Sequence, residues 1–478
     1  MVSTALKQET HTSHNKFAEG LKDGNYFFFN NFTQKQDFYG CIKQIILRGI
    51  EKIEGRECRQ EIEKNGLSQM HLYFPVDKLM YLDVYVREKS RKIMMQMAYS
   101  FCKHDLKFTS EFFISPDDFL FKISYPFEIA VKSKVSYKQY VAYKQARSQK
   151  TIPLNSYQFL RKVKQEVKAR IKDIPKSSTL ATKGYHDHYP YAANAYGPHL
   201  DSWYGSALDG INLWWAIAGV KEDNSMIFYP EMFGRYIKYK QDYAYLPPGV
   251  TLTKPYKVEI PDGSVLVFNS DLLHGSQLNI STQTRIVTAP RVILGQPKFN
   301  SDSQPMEFSG WYSSEDIAKG NWENPRKFSM KEKLGIVYED RKKSHVEKRI
   351  AITVNSSLSD GTPIELCPAE TIGIGEKMLV NLQKESIIVF RTKEGFQAVA
   401  ALCPHMKINL IDGFHDEQQI YCPGHGVAFF GTDGSSKCKL LKLQVYKAYE
   451  SKGKIFLEKE ASTRDTKLKR DNKENHVA

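Results

Sequence analysis

Gly197-Pro198-His199-Leu200-Asp201 and Phe268-Asn269-Ser270-Asp271-Leu272-Leu273-His274-Gly275-Ser276, with Arg285 eleven residues past the last histidine, decide how this chain is read. Two His and one carboxylate are the set that holds non-haem Fe(II) on one face and leaves the other positions for co-substrate and oxygen. Residues i and i+2 of a strand share a face, so His199 and Asp201 are expected on a strand, reaching one metal. The run Asp262-Gly-Ser-Val-Leu-Val-Phe-Asn269 supplies a turn and then a buried strand leading to His274. The Arg285 guanidinium can grip a carboxylate through two parallel bonds. The far end of 2-oxoglutarate needs such a grip while its keto-acid end chelates iron.

A second pattern lies further on. Cys403-Pro404-His405 is followed by Cys422-Pro423-Gly424-His425-Gly426, giving C-x-H-x16-C-x2-H. In a Rieske [2Fe–2S] centre two Cys bind one iron and two His the other. Two tight loops must each present one Cys and one His, and Pro and Gly suit such loops. The same four residues could also hold zinc, but zinc sites more often pair two Cys in one loop and two His in the other. Cys438 follows the second loop, and no Cys stands beside the first pair to bridge it.

The rest of the chain frames these two sites. Its 478 residues suffice for two or three domains with their own cores. The longest apolar run, Leu213 to Val220, is too short to cross a bilayer. Met1 to Thr10 lacks a basic cap before an apolar core, so a cytoplasmic location is expected. Seven thinly spread cysteines argue against a disulfide scaffold. The net charge of +14 is compatible with anionic partners, but no nucleic acid is expected.

Residues 1–24 are expected to be flexible. Asn25 to Phe32 reads as a strand, and Lys35 to Ile53 carries Phe38, Ile42, Ile45, Ile46 and Ile50 at helical spacing. Lys78 to Phe101 is a second helix-like segment, and 105–130 is strand-like. Residues 132–176 hold thirteen Lys or Arg against Glu166 and Asp173, with an apolar stripe of Phe159, Val163, Val167 and Ile171. A solvated outer face is favoured there over an anion-binding patch. His186 and His188 could line a substrate entrance, though loop histidines usually have no chemical duty. The aromatic set Trp203, Tyr204, Trp214 and Trp215 could pack a ring or serve as core. The expected domains are 25–295, with a β-rich core over 185–295, a connector over 296–349, and a second domain over 350–458. A disordered tail over 459–478 completes the chain.

The ordered set His199, Asp201, Asp262-Gly263, His274-Gly275-Ser276, Asn279 and Arg285 resembles the phytanoyl-CoA dioxygenase family of Fe(II)/2-oxoglutarate hydroxylases, most clearly over 185–292. Ala400-Ala401-Leu402, the two Cys/His loops and Val427 to Gly434 resemble Rieske ferredoxins, over about 350–458. These resemblances imply a mixed α+β, mainly β chain. It would comprise a double-stranded β-helix (jelly-roll) oxygenase domain with N-terminal helices and a small all-β Rieske domain. They imply His199, Asp201 and His274 as iron ligands, and Arg285, Ser276 and Trp214 as co-substrate contacts. Cys403, His405, Cys422 and His425 would hold the cluster. Related halogenases lack the carboxylate, so Asp201 implies hydroxylation or another oxidation. The family's usual Pro-Gly-Ser-His loop is replaced by Tyr229-Pro230-Glu231-Met232-Phe233-Gly234, which leaves the substrate open.

The expected activity consumes O2, 2-oxoglutarate and a small-molecule substrate, either a specialised metabolite or lipid-related. Reducing oxygen takes four electrons; 2-oxoglutarate gives two and the substrate two. The Rieske cluster is therefore surplus to the basic cycle. Returning stranded Fe(III) to Fe(II), with a ferredoxin reductase as donor, is the expected use. An electron-transfer or redox-sensing protein with a non-catalytic binding module is the alternative.

Overall fold

The computed structural model describes residues 7–8, 20–21, 24–115, 121–148, 189–204, 206–237, 246, 249–295, 311–321, 342–343 and 349–459. Two compact units divide the chain: Met1–Pro247 with Pro255–Ser344, and Pro248–Lys254 with His345–Ala478. His186, His188, the stripe Phe159 to Ile171 and residues 460–478 lie outside the described residues.

The first unit begins with β1 (Tyr26–Phe29), α1 (Lys35–Glu54), α2 (Arg56–Asn65) and α3 (Leu79–Ser100). Phe38, Ile42, Ile46, Ile50 and Ile53 recur every three or four residues of α1 and are buried. α2 is highly charged and buries only Ile62, which explains why no apolar period announces it. α3 is buried over most of its circumference and includes Asp83. That acid is met by Arg87 Nε at 2.8 Å and the Tyr140 hydroxyl at 2.7 Å. A buried carboxylate needs such partners. Tyr140 lies on α4 (Tyr137–Ser148), where Arg147 pairs with Glu88 at 2.9 Å. The described part of the basic stretch is thus the face of a packed helix.

Strands follow as β2 (Phe112–Ser115), β3 (Lys122–Ser124), β4 (Ile211–Ala218), β5 (Met226–Phe228), β6 (Val265–Asn269), β7 (His274–Ser276), β8 (Arg285–Thr288) and β9 (Arg291–Leu294). The large sheet runs β1-β6-β4-β9-β2, with β8 beside β3 and β4; two-residue strands extend both edges. A smaller antiparallel sheet joins β7, β5 and Tyr256–Lys257. Tyr26, Trp214, Leu266, Phe268 and Val287 of the large sheet form one core cluster with Met226 and Phe228 of the small one.

Every residue of β4 is buried. Successive side chains point to opposite faces, so Trp214 enters the core between the sheets. Trp215 packs outward on Phe38 of α1 and on Phe101, with ring centroids 5.6 and 5.8 Å apart. Trp203 is also core, its Nε1 donating to the Ile237 carbonyl at 3.1 Å. Of the four aromatics, Tyr204 alone is only half-buried and beside a candidate ligand, its ring 5.8 Å from that of His199.

In the second unit a seven-stranded sheet is built from β10 (Ile350–Thr353), β11 (Ile364–Pro368), β12 (Lys377–Asn381), β13 (Ser386–Thr392), β14 (Gly395–Ala400), β17 (Val445–Ser451) and β18 (Lys454–Glu458). The hairpin β15 (Gln419–Tyr421) and β16 (Ala428–Phe430) stands apart from it. The sheet order is β10-β12-β13-β14-β17-β18-β11. Met378, Val380, Ile387, Val389, Ala398, Ile455 and Leu457 alternate along the strands to form its core. Asp412 accepts from Arg349 and, through its carbonyl, from the Leu252 N–H at 3.0 Å, which ties in the 248–254 segment. Among the described residues no helix is long and apolar enough to cross a membrane.

Candidate metal centres

His199, Asp201 and His274 come together. One ligand atom from each lies within 4.8 Å of the others. The strand expected for His199 and Asp201 does not form. His199 sits in an isolated bridge to His274, with paired backbone bonds of 2.8 and 3.1 Å, and Asp201 opens a 3-10 turn through Tyr204. The Asp201 N–H donates to the Ser270 carbonyl at 2.9 Å, so the turn is clamped to the segment preceding β7.

Both histidines are oriented by one device. His199 Nδ1 lies 2.7 Å from the Gly197 carbonyl and His274 Nδ1 lies 2.7 Å from the Leu272 carbonyl, each two residues upstream. A ring that gives its Nδ1 proton to a carbonyl presents an unprotonated Nε2, the form that binds metal. These Nε2 atoms face Asp201 at 3.5 and 3.7 Å. Burial and neighbouring His199 push His274 down to about 4, so it stays neutral. Burial raises the Asp201 carboxyl, but Arg291 and the two histidines outweigh it and hold the group ionised. Two imidazoles, an anionic oxygen and a buried setting fit a divalent first-row metal. The rings of Phe268 and Phe228 lie 4.9 and 6.3 Å from that of His274, and Tyr196 lies 6.4 Å from His199.

Gly275 permits this approach. A Cβ there would stand 3.1 Å from Gly197 C, Pro198 N and Tyr196 O, all backbone atoms. Gly275→Ala should therefore part the His199–His274 bridge and cost about 1–3 kcal/mol, the usual range for overpacking. The expected result is roughly tenfold or greater loss of Fe(II) affinity, read by competition with a chelator.

Arg285 opens β8 and is 1% exposed. Its Nη1 donates to the Asn224 carbonyl, while Nε has no partner among the described residues. No carboxylate pairs with it among the described residues, and burial lowers its pKa to about 10. Arg285 and Val287 pair across the strands with Ser124 and Lys122 of β3, so all four share a face. Lys122 was not anticipated from the sequence. Its Nζ donates to the Asn194 carbonyl at 2.7 Å and lies 4.7 Å from the Tyr196 ring. Burial, with repulsion from Arg285, pushes it down to about 7. Ser276 lies on β7 beside Met226, its Oγ 4.0 Å from Sδ, and Trp214 lies in the core between the sheets.

The second set is gathered on two loops with one backbone pattern. The Cys403 N–H donates to Ile408 O and the Cys422 N–H to Val427 O, each at 2.8 Å and five residues on. The Lys407 N–H returns to Cys403 O and the Gly426 N–H to Cys422 O, four residues on. The returning residues are left-handed, with φ of 58° and 68°. This local two-fold repeat, in which Lys407 stands where the other loop has Gly, is not visible in the unequal spacings C-x-H and C-x2-H. Cys403, His405, Cys422 and His425 are all buried, and the two rings lie 4.6 Å apart at 89°. A hydrogen bond from the Cys403 thiol draws Cys422 below the ordinary thiol range, against the effect of burial. Paired thiols and paired imidazoles on matched loops fit a two-iron cluster ligated by Cys at one iron and His at the other.

A family model described as phytanoyl-CoA dioxygenase (PhyH) matches residues 129–287, and one described as a Rieske [2Fe-2S] domain matches 362–446. No curated protein matches the chain. Among solved structures, a chain of the complex of reduced oxygenase and oxidized ferredoxin in carbazole 1,9a-dioxygenase is 25% identical. The match covers 21% of this chain and 95% of that one, at a TM-score of 0.20. The ferredoxin of carbazole 1,9a-dioxygenase from Nocardioides aromaticivorans IC177 is 22% identical over 21% of this chain and 100% of its own, at a TM-score of 0.20. The Sphingomonas yanoikuyae B1 ferredoxin is 24% identical over 20% and 99%, at 0.19.

Proposed function

From the premise that this chain joins a phytanoyl-CoA dioxygenase domain to a Rieske [2Fe–2S] domain, we propose that it is an Fe(II)/2-oxoglutarate-dependent hydroxylase with an electron supply of its own. The observation that carries this is Arg285, a buried guanidinium with no carboxylate partner among the described residues. An unpaired buried charge costs several kcal/mol, which a carboxylate ligand would offset. Lys122 stands on the same face as a second donor, with burial and Arg285 holding its pKa at about 7. Such a face favours a carboxylate, and the distal end of 2-oxoglutarate is one.

His199, Asp201 and His274 would hold the iron, which when bound supplies oxygen activation coupled to decarboxylation of 2-oxoglutarate to succinate. The carbonyls of Gly197 and Leu272 keep both imidazoles in the metal-binding tautomer. Arg285 would orient the co-substrate through its distal carboxylate. Ser276 and Trp214 would border it, and the rings around the histidines would limit water. The fold we assign to this unit is the double-stranded β-helix. Cys403, His405, Cys422 and His425 would hold the cluster, which supplies single electrons. The substrate is a small molecule, either a specialised metabolite or lipid-related. The free cysteines fit a reducing cytoplasm.

The test is anaerobic addition of 2-oxoglutarate to the Fe(II)-loaded chain with its cluster already reduced. A weak visible charge-transfer band that is lost in Arg285→Met is expected. If the wild-type chain gives no band, 2-oxoglutarate is not chelated there.

A further inference from the structure

The carboxylate of Asp201 is gripped from behind. Arg291 Nη2 donates to Oδ1 at 2.5 Å, and Asn212 Nδ2 donates to Oδ2 at 2.6 Å. The two donors are not independent, since Arg291 on β9 and Asn212 on β4 stand directly opposite each other in the strand register. Cross-strand partners project to the same face, so one rung of the sheet makes a two-pronged clamp. Asp201 is 1% exposed, and the histidine Nε2 atoms approach its oxygens from 3.5 and 3.7 Å. Each oxygen therefore gives one lone pair to the clamp and keeps one for the histidine side.

A cation on the ligand oxygen competes with the metal for its electron density. Both bonds end on the ionised carboxylate, but Arg291 also brings a full positive charge, so it should have the larger effect. A weaker anionic donor costs a trivalent ion more than a divalent one, because the Coulomb term scales with the ion's charge. Resting on the iron-site assignment above, we propose that Arg291, with Asn212, is a positioning pair that weakens Asp201 as a donor and biases the mononuclear iron towards Fe(II). The consequence is one-electron chemistry. Fe(III) takes one electron and becomes Fe(II), while the reduced Rieske cluster gives one and becomes oxidised. A clamp that favours Fe(II) makes this transfer easier for a mild donor. The spare electron supply and the gripped carboxylate then serve one end.

The experiment compares the full chain with Arg291→Gln, Arg291→Lys and Asn212→Ala. The midpoint of the mononuclear iron is read by spectroelectrochemistry through its Fe(III) resonance signal, against a chemical reductant. The Rieske signal of the same sample reports that the chain is folded and serves as an internal reference. Arg291→Gln should lower the Fe(II):Fe(III) ratio at fixed potential at least tenfold, about 59 mV for a one-electron couple. Arg291→Lys should restore most of that, and Asn212→Ala should show a smaller fall of the same sign. The Rieske midpoint should not move. The proposal is overturned if Arg291→Gln retains iron at the wild-type midpoint, or if Arg291→Lys falls as far as Arg291→Gln. If Arg291→Gln loses its iron, Asn212→Ala decides, and an unmoved midpoint there overturns the proposal. A wild-type chain with no mononuclear signal instead overturns the iron-site assignment and this proposal with it.

Discussion

Arg285→Met should abolish tight 2-oxoglutarate binding without weakening the fold. Truncating one partner of a buried, hydrogen-bonded charge pair costs roughly 2–5 kcal/mol, a thirtyfold to several-thousandfold loss of affinity. In the free chain, however, no carboxylate among the described residues pairs with Arg285. It is buried with a backbone carbonyl as acceptor, and burial alone lowers its pKa to about 10. Replacing an uncompensated buried charge with an apolar side chain is often neutral or stabilising. The variant should therefore melt at the wild-type temperature or above it, while calorimetry shows the co-substrate affinity gone. A structural arginine would behave in the opposite way, with a lower melting temperature and unchanged affinity. The opposed signs separate a binding group from a core group, as expected where function is held at some cost to stability.

Cys403→Ser should leave the first turnover intact and shorten the life of the enzyme. Losing one thiolate should remove the Rieske cluster, whose proposed ligands are buried on matched loops. Oxygen, 2-oxoglutarate and substrate balance their electrons without it. Single-turnover product yield should match the wild type, and the number of cycles before inactivation should fall severalfold. Added ascorbate should restore most of the lost cycles. If the first turnover is lost as well, with iron still bound at His199, Asp201 and His274, the cluster takes part in every cycle.

The residues that were legible in the sequence are those whose spacing along the chain carries the chemistry. His199, Asp201 and His274, with Arg285 beyond them, could be read as a set because the groups keep their order and identity whatever the backbone does. The local conformation could not be read in the same way. His-x-Asp suggests a strand, whereas tertiary clamps to His274 and Ser270 make it a bridge followed by a 3-10 turn. α1 was legible because one face is apolar, and α2 was not because it buries a single side chain. In β4, burial on both faces removes the alternation that would have told Trp214 from Trp215. The clamp on Asp201 joins residues 90 positions apart, and no local pattern marks such a pair. The available hint was Asn212, a polar residue at the head of an apolar strand, since buried polar groups are rarely without a partner.

We propose that one chain couples 2-oxoglutarate decarboxylation to substrate oxidation while carrying a separate cluster. The most direct measurement is succinate release across a substrate panel, with iron and acid-labile sulfide quantified on the same sample. One succinate per oxidised product is expected. About three irons and two sulfides per chain are expected with it, one iron at the histidine–carboxylate site and two in the cluster. Oxidised product formed without succinate would contradict it and would mean that the cluster itself drives oxygenation.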